Sequence, residues 1–565
     1  MKRSSTSHSA YLRKHTEPNE AEFHLEKNTT EEVIDICKKM KKKTSRDHFG
    51  ISQKLIMDNI VVLSKPITHL WNRCKETGLF PNGAKIAKVI PVFKGKGLKA
   101  HLYTNYRPIS LLSIIGKILE RLMYNQLEAF LIRYNILFKS QYGFRGGHST
   151  IHAVTDFVGK INEALEKGEL CYGIFCDLSK AFDTINHDIL LEKLFHYGIR
   201  GLALEWFRSY LADRKQFVWW NGQASGQENL STGVSQGSVL GPLLFLIYIN
   251  DLPAASSILE FVLFADDSNI QVSGKDPKQL SETLTKELEH VIDWFQANKL
   301  LLNVNKTKMI VFRSQKCNKD IDSFPVIMDN KILLRVEHET FLGLELDENL
   351  RWYPQCRKAS VKIGRSIASM RKVKRFVGAN ALKTMYNSMI LPHLSYGIAA
   401  WGGTFDKATK RIKVQQKKAI RMITKARAME HTEPRLKKLR ILKLVDLYKY
   451  HVGNLVYDCL NDHAPQLMNT LFTKRSKTRT TQTRGEQDKP NNVQFIKGKV
   501  SSMKRSFPCR GAEVWNDLPV EIQAILKKSK FKSALKKHLI HGYEERTKCS
   551  NTRCPDINFC AHFQK

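Results

Sequence analysis

The sequence is poor in acid. Its 565 residues hold 54 Asp and Glu against 91 Lys and Arg, a formal charge of +37. An ordinary metabolic enzyme has no need of that imbalance. It points to a polyanionic partner, nucleic acid ahead of anionic membrane. Long apolar runs are also missing. The longest, Val239 to Asn250, is interrupted by Gly241 and Pro242 and is too short to span a bilayer. Met1 to His15 is basic and Ser-rich without an apolar centre, which argues against a secretory signal. Glu17, Glu20 and Glu22 follow closely and argue against a transit peptide. The eleven cysteines are scattered, odd in number and without framework spacing, so they read as reduced thiols. No internal repeat is visible, which excludes a solenoid. What is present, 42% apolar and 26% charged residues, describes a globular chain. At roughly 150 residues per domain the length allows about three or four domains or subdomains.

Periodicity divides the chain. Residues 1–30 are polar. Residues 31–78 read as helices, with Val33, Ile34, Ile36 and Cys37 and then Leu55, Ile56, Ile60, Val61 and Leu63 at helical spacing. Between them Lys38 to Lys43 carries five lysines. They read as a solvated helix end, a phosphate-contacting patch or a nuclear import signal. Lys85 to Phe93 reads as a buried strand, residues 107–135 as helical from Pro108, and a basic, Gly-rich loop, Gly143 to Thr150, precedes a helix that runs to about Lys167. Leu170 to Cys176 is an apolar, aromatic strand ending at Asp177. The helix after it takes in Phe182, Ile185, Ile189, Leu190 and Leu194 and stops at Gly198. Residues 258–264 form a strand ending at Ala265-Asp266-Asp267, and Ile270 and Val272 restart the alternation, so the acids sit at a hairpin turn. Residues 277–303 are helical. Short strands are expected at 310–312 and 341–346, helices beyond 350, a linker or loop over 473–510, and a last helical stretch near 513–543.

Two strands that each end in an acidic group are the informative feature. Nucleotidyl transfer uses two divalent metals about 4 Å apart. Mg²⁺ takes hard oxygen ligands, one or two carboxylates plus substrate phosphates. Carboxylates at the ends of adjacent strands suit that task, because the sheet fixes their spacing. An Asp at a strand end is equally ordinary turn chemistry, so the pattern alone reaches only a metal-dependent nucleic-acid enzyme as one reading.

Longer segments carry a resemblance. Phe175-Cys176-Asp177-Leu178-Ser179-Lys180-Ala181-Phe182-Asp183 resembles the motif A block of reverse transcriptases of LINE-type, non-long-terminal-repeat retrotransposons, and Phe264-Ala265-Asp266-Asp267 resembles their motif C. Upstream, Tyr106 to Leu112 (YRPISLL) and Gln141 to Arg145 (QYGFR) match the fingers blocks. Ser235 to Pro242 (SQGSVLGP) matches motif B, Asn303 to Thr307 (NVNKT) resembles motif D, and Phe341 to Leu344 (FLGL) resembles motif E. Leu391 to Gly397 (LPHLSYG) and Trp515 to Pro519 (WNDLP) resemble thumb and carboxy-terminal segments of jockey-like elements. The similarity covers roughly 20–545. Ser45 to Gly50 departs from the Gly-x-Asp-Gly pattern common in relatives.

The resemblance implies an α+β right-hand polymerase. Its fingers and palm would occupy 74–346, with an antiparallel palm sheet and packed helices. Ahead of them lie a polar tail, 1–30, and a helical extension, 31–73. A mostly helical thumb or connection, 347–472, follows, then the linker, 473–510, and a helical segment with a Cys-containing tail, 511–565. Asp177, Asp266 and Asp267 are implied as the metal-binding carboxylates for two Mg²⁺ ions, for which Mn²⁺ can substitute. Phe182 is implied as the steric gate against a ribose 2′-hydroxyl. Lys94, Arg107 and Arg145 are expected at the triphosphate, template or incoming nucleotide. Gln236 and Gly237 are expected under the nascent base pair. Lys306 is a candidate general acid for the pyrophosphate leaving group. Phe341, Leu342 and Gly343 are expected in the primer grip. The Lys407–Arg427 segment has nine Lys or Arg, and Ile412, Ala419, Ile420 and Ile423 form its buried face. It is the expected surface for a template–primer duplex. Related elements sometimes carry a Cys/His zinc knuckle in the tail; Cys549, Cys554, Cys560 and His562 lack compact zinc spacing, so the three cysteines read as free thiols ahead of zinc ligands.

The expected partners are an RNA template, a DNA primer or target, and dNTPs, with no membrane, in nucleus and cytoplasm. Full-length relatives place an endonuclease domain before the polymerase, so target nicking is expected from another protein or a missing domain. Two other readings compete. An RNA-dependent RNA polymerase is disfavoured by Phe182 and the Ala-Asp-Asp turn. A decayed or co-opted nucleic-acid-binding protein is disfavoured by the intact acids.

Overall fold

The computed structural model describes residues 7–95, 97–475 and 491–543. Numbering only helices of eight or more residues and strands of four or more, the order begins α1 (His8–His15), α2 (Thr30–Lys39), α3 (Ile60–Thr77), β1 (Ile86–Phe93), β2 (Tyr106–Leu112), α4 (Ile114–Arg133) and α5 (Thr150–Glu166). It continues β3 (Leu170–Cys176), α6 (His187–His196), α7 (Gly201–Leu211), β4 (Arg214–Trp220), α8 (Gly241–Ile249), β5 (Glu260–Phe264), β6 (Asp267–Gly274), α9 (Pro277–Ala297) and β7 (Lys308–Phe312). Then come β8 (His338–Phe341), β9 (Leu344–Asp347), α10 (Tyr353–Val373), α11 (Asp406–Ile423), α12 (Leu444–Leu460), α13 (Phe507–Asn516) and α14 (Lys528–His541). The architecture is a mixed α/β one, as expected.

The central sheet runs β7-β3-β6-β5, every neighbour antiparallel, with Leu334–Arg335 added parallel to the outer side of β7. Alternation along β3 decides what lies on each face. Tyr172, Ile174 and Cys176 enter one hydrophobic cluster, with α4, α6, α8 and α9. Cys171 and Phe175 enter a second, with α5, α10, α11 and α12. The sheet is therefore the wall between two cores. Phe157 of α5 touches Phe175, Phe312 and Phe341 in the second. In the first core Lys193 is fully buried with Asp251, 2.5 Å away, and also donates to the Tyr248 carbonyl at 2.6 Å. A smaller sheet runs β2-β1-β4, with β1 antiparallel to β2 and parallel to β4.

Several expectations shift. Residues 106–112 are strand, not helix. They pair with β1 so that Pro91 faces Pro108, and the helix waits until Ile114, capped by Ser113. Asp47, in the divergent 45–50 segment, accepts from the Ile114 amide at 3.1 Å and from Phe49 and Ile51, so it is a buried turn anchor. The helix expected to include Phe182 begins at His187, where Asn186 accepts from the Ile189 amide. The helix expected to 303 stops at Ala297, and Leu301–Leu302 pairs with Leu178–Ser179. The helix expected over 407–427 ends at Ile423.

The expected 473–510 linker is partly packed structure. Val493 is buried against Asn516, which accepts from its amide and donates to its carbonyl, and α13 already starts at Phe507. Trp515 donates to the Asn491 carbonyl, so the Trp-Asn segment is internal scaffolding. The Lys38–Lys43 run closes α2, and Lys42 is paired with Asp58. The Cys549, Cys554, Cys560 and His562 tail lies outside the described residues. Among the described residues no helix is long and apolar enough to cross a membrane.

Candidate active site

Strand register builds the site. Cys176 of β3 faces Ser268 of β6, so Asp177 leaves the sheet beside the Asp266-Asp267 turn of the β5–β6 hairpin. Ala265 makes that turn with φ +56. The carboxylates act on one another. Partial burial, then Asp266 and Asp177, push Asp267 up to about 6, and burial with Asp177 also raises Asp266. The Asp177 carbonyl accepts from the Asn303 amide at 2.8 Å. This docks the 303–307 loop and brings Lys306 Nζ to 3.6 Å from Asp177 Oδ2. Both side chains are solvent-exposed, so the pair adds little stability.

A second loop closes over the first. Phe182 O accepts from Val234 N at 2.8 Å, Ile185 O from Gly233 N at 2.7 Å, and Gln236 Nε2 donates to Asp183 Oδ1 at 3.4 Å. Gln236 O in turn accepts from Ser110 N of β2. Gly237 has φ +125, and a Cβ there would stand 2.6 Å from Ser110 O. Only glycine lets this loop lie on the smaller sheet. Glu120 of α4, 1% exposed, pins the loop's far end by accepting from Val239 N at 2.5 Å and Leu240 N at 3.4 Å. Burial raises the Glu120 carboxyl, and Arg214 opposes that shift.

A sequence profile of the family described as reverse transcriptase (RNA-dependent DNA polymerase) matches residues 94–346, the span that holds all of this geometry. The chain carries a reverse transcriptase domain. Its relatives include the "Probable RNA-directed DNA polymerase from transposon BS" of Drosophila melanogaster, 28% identical over 410 residues, which are 70% of this chain and 44% of that protein. The "RNA-directed DNA polymerase from mobile element jockey" of Drosophila funebris is 26% identical over 460 residues, 78% of this chain and 49% of the relative. The "Retrovirus-related Pol polyprotein from type-1 retrotransposable element R1" of Bradysia coprophila is 26% identical over 381 residues, 66% and 37%. These three relatives are named as proteins of a transposon, a mobile element and a retrotransposable element. The chain spans about half the length, 44 to 49%, of the jockey and BS relatives.

The reverse transcriptase domain draws the expected residues together unequally. Asp177, Asp266, Asp267 and Lys306 gather at one end of the central sheet's strands, and Phe182, Gln236 and Gly237 lie on the two loops beside it. Phe182 is half-buried, stacked on Phe245 with centroids 4.8 Å apart and edged by Phe144 at 6.1 Å. Lys94, in the loop after β1, and Arg107, on strand β2 of the smaller sheet, are exposed, and Lys94 Nζ donates to the Thr104 carbonyl.

Arg145 is different. Its guanidinium donates to the Phe138 and Gln141 carbonyls, so it braces its own loop. Phe341 is also turned inward, against Phe157 at 4.9 Å, leaving Leu342 and Gly343 as the tip of the β8–β9 hairpin. Tyr396 props that tip, its hydroxyl donating to the Leu342 carbonyl at 2.5 Å.

Sequence reasoning passed over Glu120 and read α10 only as part of a helical region beyond 350. The latter is acid-free, carries Arg357, Lys358, Lys362, Arg365, Arg371 and Lys372, and packs on α11 where Gly364 meets Gln415. Its run of basic residues without a carboxylate was the available signal.

The three carboxylates are hard oxygen donors, as Mg²⁺ requires. Among the described residues no group of three or more His, Cys, Asp or Glu is arranged to hold a metal ion. Mg²⁺ held by one or two carboxylates completes its shell with water and substrate phosphates.

Proposed function

We propose that this chain is the RNA-directed DNA polymerase of a non-long-terminal-repeat retrotransposon, adding dNTPs to a primer 3′-hydroxyl on an RNA template. The observation that carries the reading is the set of carboxylates Asp177, Asp266 and Asp267 on neighbouring strand ends, inside the span that matches the reverse transcriptase family. In right-hand terms, the smaller sheet and α4 are fingers, the central sheet is palm, and α10 with α11 begins the thumb.

Asp177, Asp266 and Asp267 would hold two Mg²⁺ ions, which when bound lower the pKa of the attacking hydroxyl and neutralise the triphosphate. The protein's own groups do the rest. Arg107 and Lys94 gather the triphosphate from the fingers side, Arg as a fork and Lys as a point charge. Arg145 holds the shape of the loop between them and the palm. Phe182, backed by Phe245, meets the sugar and leaves no space for a 2′-hydroxyl. Gln236 and Gly237 form the floor under the new base pair, where the bare backbone can approach closely. Lys306 donates its proton to the departing pyrophosphate oxygen. The Leu342–Gly343 tip supports the primer end.

The primer is a nicked target DNA. The protein itself would reside in nucleus and cytoplasm. The test is extension of a DNA primer on an RNA template with Mg²⁺ and dNTPs, beside Asp266→Ala. Extension that Asp266→Ala abolishes while still binding the template supports the reading. Salt-sensitive template binding without extension by the natural sequence favours a co-opted binding protein instead. Equal use of rNTPs overturns the role of Phe182.

A further inference from the structure

Asp266 follows a kink that something must hold. Ala265 sits in the left-handed region, 4% exposed, between β5 and the acid pair. Its amide donates to Gln141 Oε1 at 3.1 Å, and the same oxygen accepts from Gly143 N at 2.8 Å. Gln141 is 2% exposed. It lies in a short segment that runs parallel to β5 and covers its edge. Tyr142 N donates to Leu263 O at 2.8 Å, and Leu263 N donates to Ser140 O at 2.9 Å.

That segment is itself anchored. Ser140 Oγ and Tyr142 OH both donate to Asp156 Oδ2 on α5, at 2.9 and 3.0 Å, and Arg145 donates to the Gln141 carbonyl. A Cβ on Gly143 would lie 2.2 Å from Ala265 N, so the segment and the turn touch backbone to backbone.

We propose that Gln141 is a positioning residue for the Asp266–Asp267 turn. Its side-chain oxygen holds the Ala265 amide, and with it the direction in which both carboxylates leave the sheet. The inference rests on the polymerase reading above. Without the oxygen, two buried amides lose their acceptor, and Ala265 has reason to leave the left-handed region. The carboxylates then move relative to primer and triphosphate, where a shift near 1 Å is costly.

Three replacements separate the contributions. Gln141→Met keeps volume and loses the acceptor. Gln141→Glu keeps the acceptor. Gln141→Asn keeps the group but falls one methylene short. In single-nucleotide addition, Gln141→Met should lower kcat by about tenfold to a hundredfold, with KM for dNTP and Kd for template–primer unchanged. Gln141→Glu should recover part of that loss, and Gln141→Asn should not. Wild-type kcat in Gln141→Met overturns the proposal, as does a loss that appears equally in Kd. Should Gln141→Met fail to fold, Glu against Asn decides in the same way: kcat higher in Glu supports it, equal or reversed order overturns it.

Mn²⁺ titration followed by water proton relaxation reads the turn without turnover. Weaker binding in Gln141→Met or Gln141→Asn than in wild type and Gln141→Glu supports the proposal; equal binding overturns it. Failure of the polymerase reading looks different: wild type itself then adds no nucleotide, whatever the order of Mn²⁺ affinities.

Discussion

Burial and two neighbouring carboxylates hold Asp267 up at about 6. Its unfolded value is near the ordinary one of about 3.9, so between the two the folded chain binds the extra proton. Metal-free stability therefore rises as pH falls from about 6 toward about 4, and the cost is fully present above 6. Asp267→Asn should raise the thermal midpoint of the metal-free protein at pH 7.5, with the gain over wild type fading toward pH 4. Mg²⁺ should stabilise wild type and do less for the variant. A thermal melt across pH, with EDTA or Mg²⁺, checks both. The acids were legible in sequence because each closes an apolar run. The inward turn of Phe341 and the bracing role of Arg145 were not. A motif places a residue near a site, but which side of the hairpin or loop it faces depends on partners such as Phe157 and the Phe138 carbonyl.

At the scale of elements, β3 is the constraint that the others obey. Gly173 sits where a Cβ would stand 2.8 Å from Phe312 Cε2 and 3.3 Å from Phe157 Cζ. Gly173→Ala should therefore cost about 1–3 kcal/mol by overpacking, read as a lower urea midpoint at unchanged slope. Strand β3 was legible from an unbroken apolar run, and β1 and β5 from runs interrupted only by Lys88 and Glu260. Strand β2 was not, because Ile109, Leu111 and Leu112 fit a helical stripe until β1 claims them. Likewise Phe182 and Ile185 share helical spacing with Ile189, yet their carbonyls are taken by Val234 and Gly233, which holds that stretch out of the helix. On α10 and α11, Lys362, Arg365, Lys410 and Arg411 are exposed. Each one replaced by Gln should reduce the slope of log Kd against log salt by about 0.7–0.9 for every phosphate that is no longer neutralised. Filter binding of a template–primer duplex over a salt series measures this.

For the whole molecule, the +37 charge and the acidic end of the central sheet divide the work. Among the described residues, basic side chains such as Lys362, Arg365, Lys410 and Arg411 lie on helices outside the sheet and, on the proposed reading, supply grip on polyanions. The sheet walls off two cores and thereby fixes the distance from Asp177 to the Asp266–Asp267 turn. One measurement tests this division most directly: single-nucleotide addition to an RNA-templated DNA primer, with template–primer Kd measured in parallel, for wild type and Asp177→Ala. The account predicts addition by wild type, background addition by Asp177→Ala, and the same Kd for both. Addition by Asp177→Ala at the wild-type rate would contradict it.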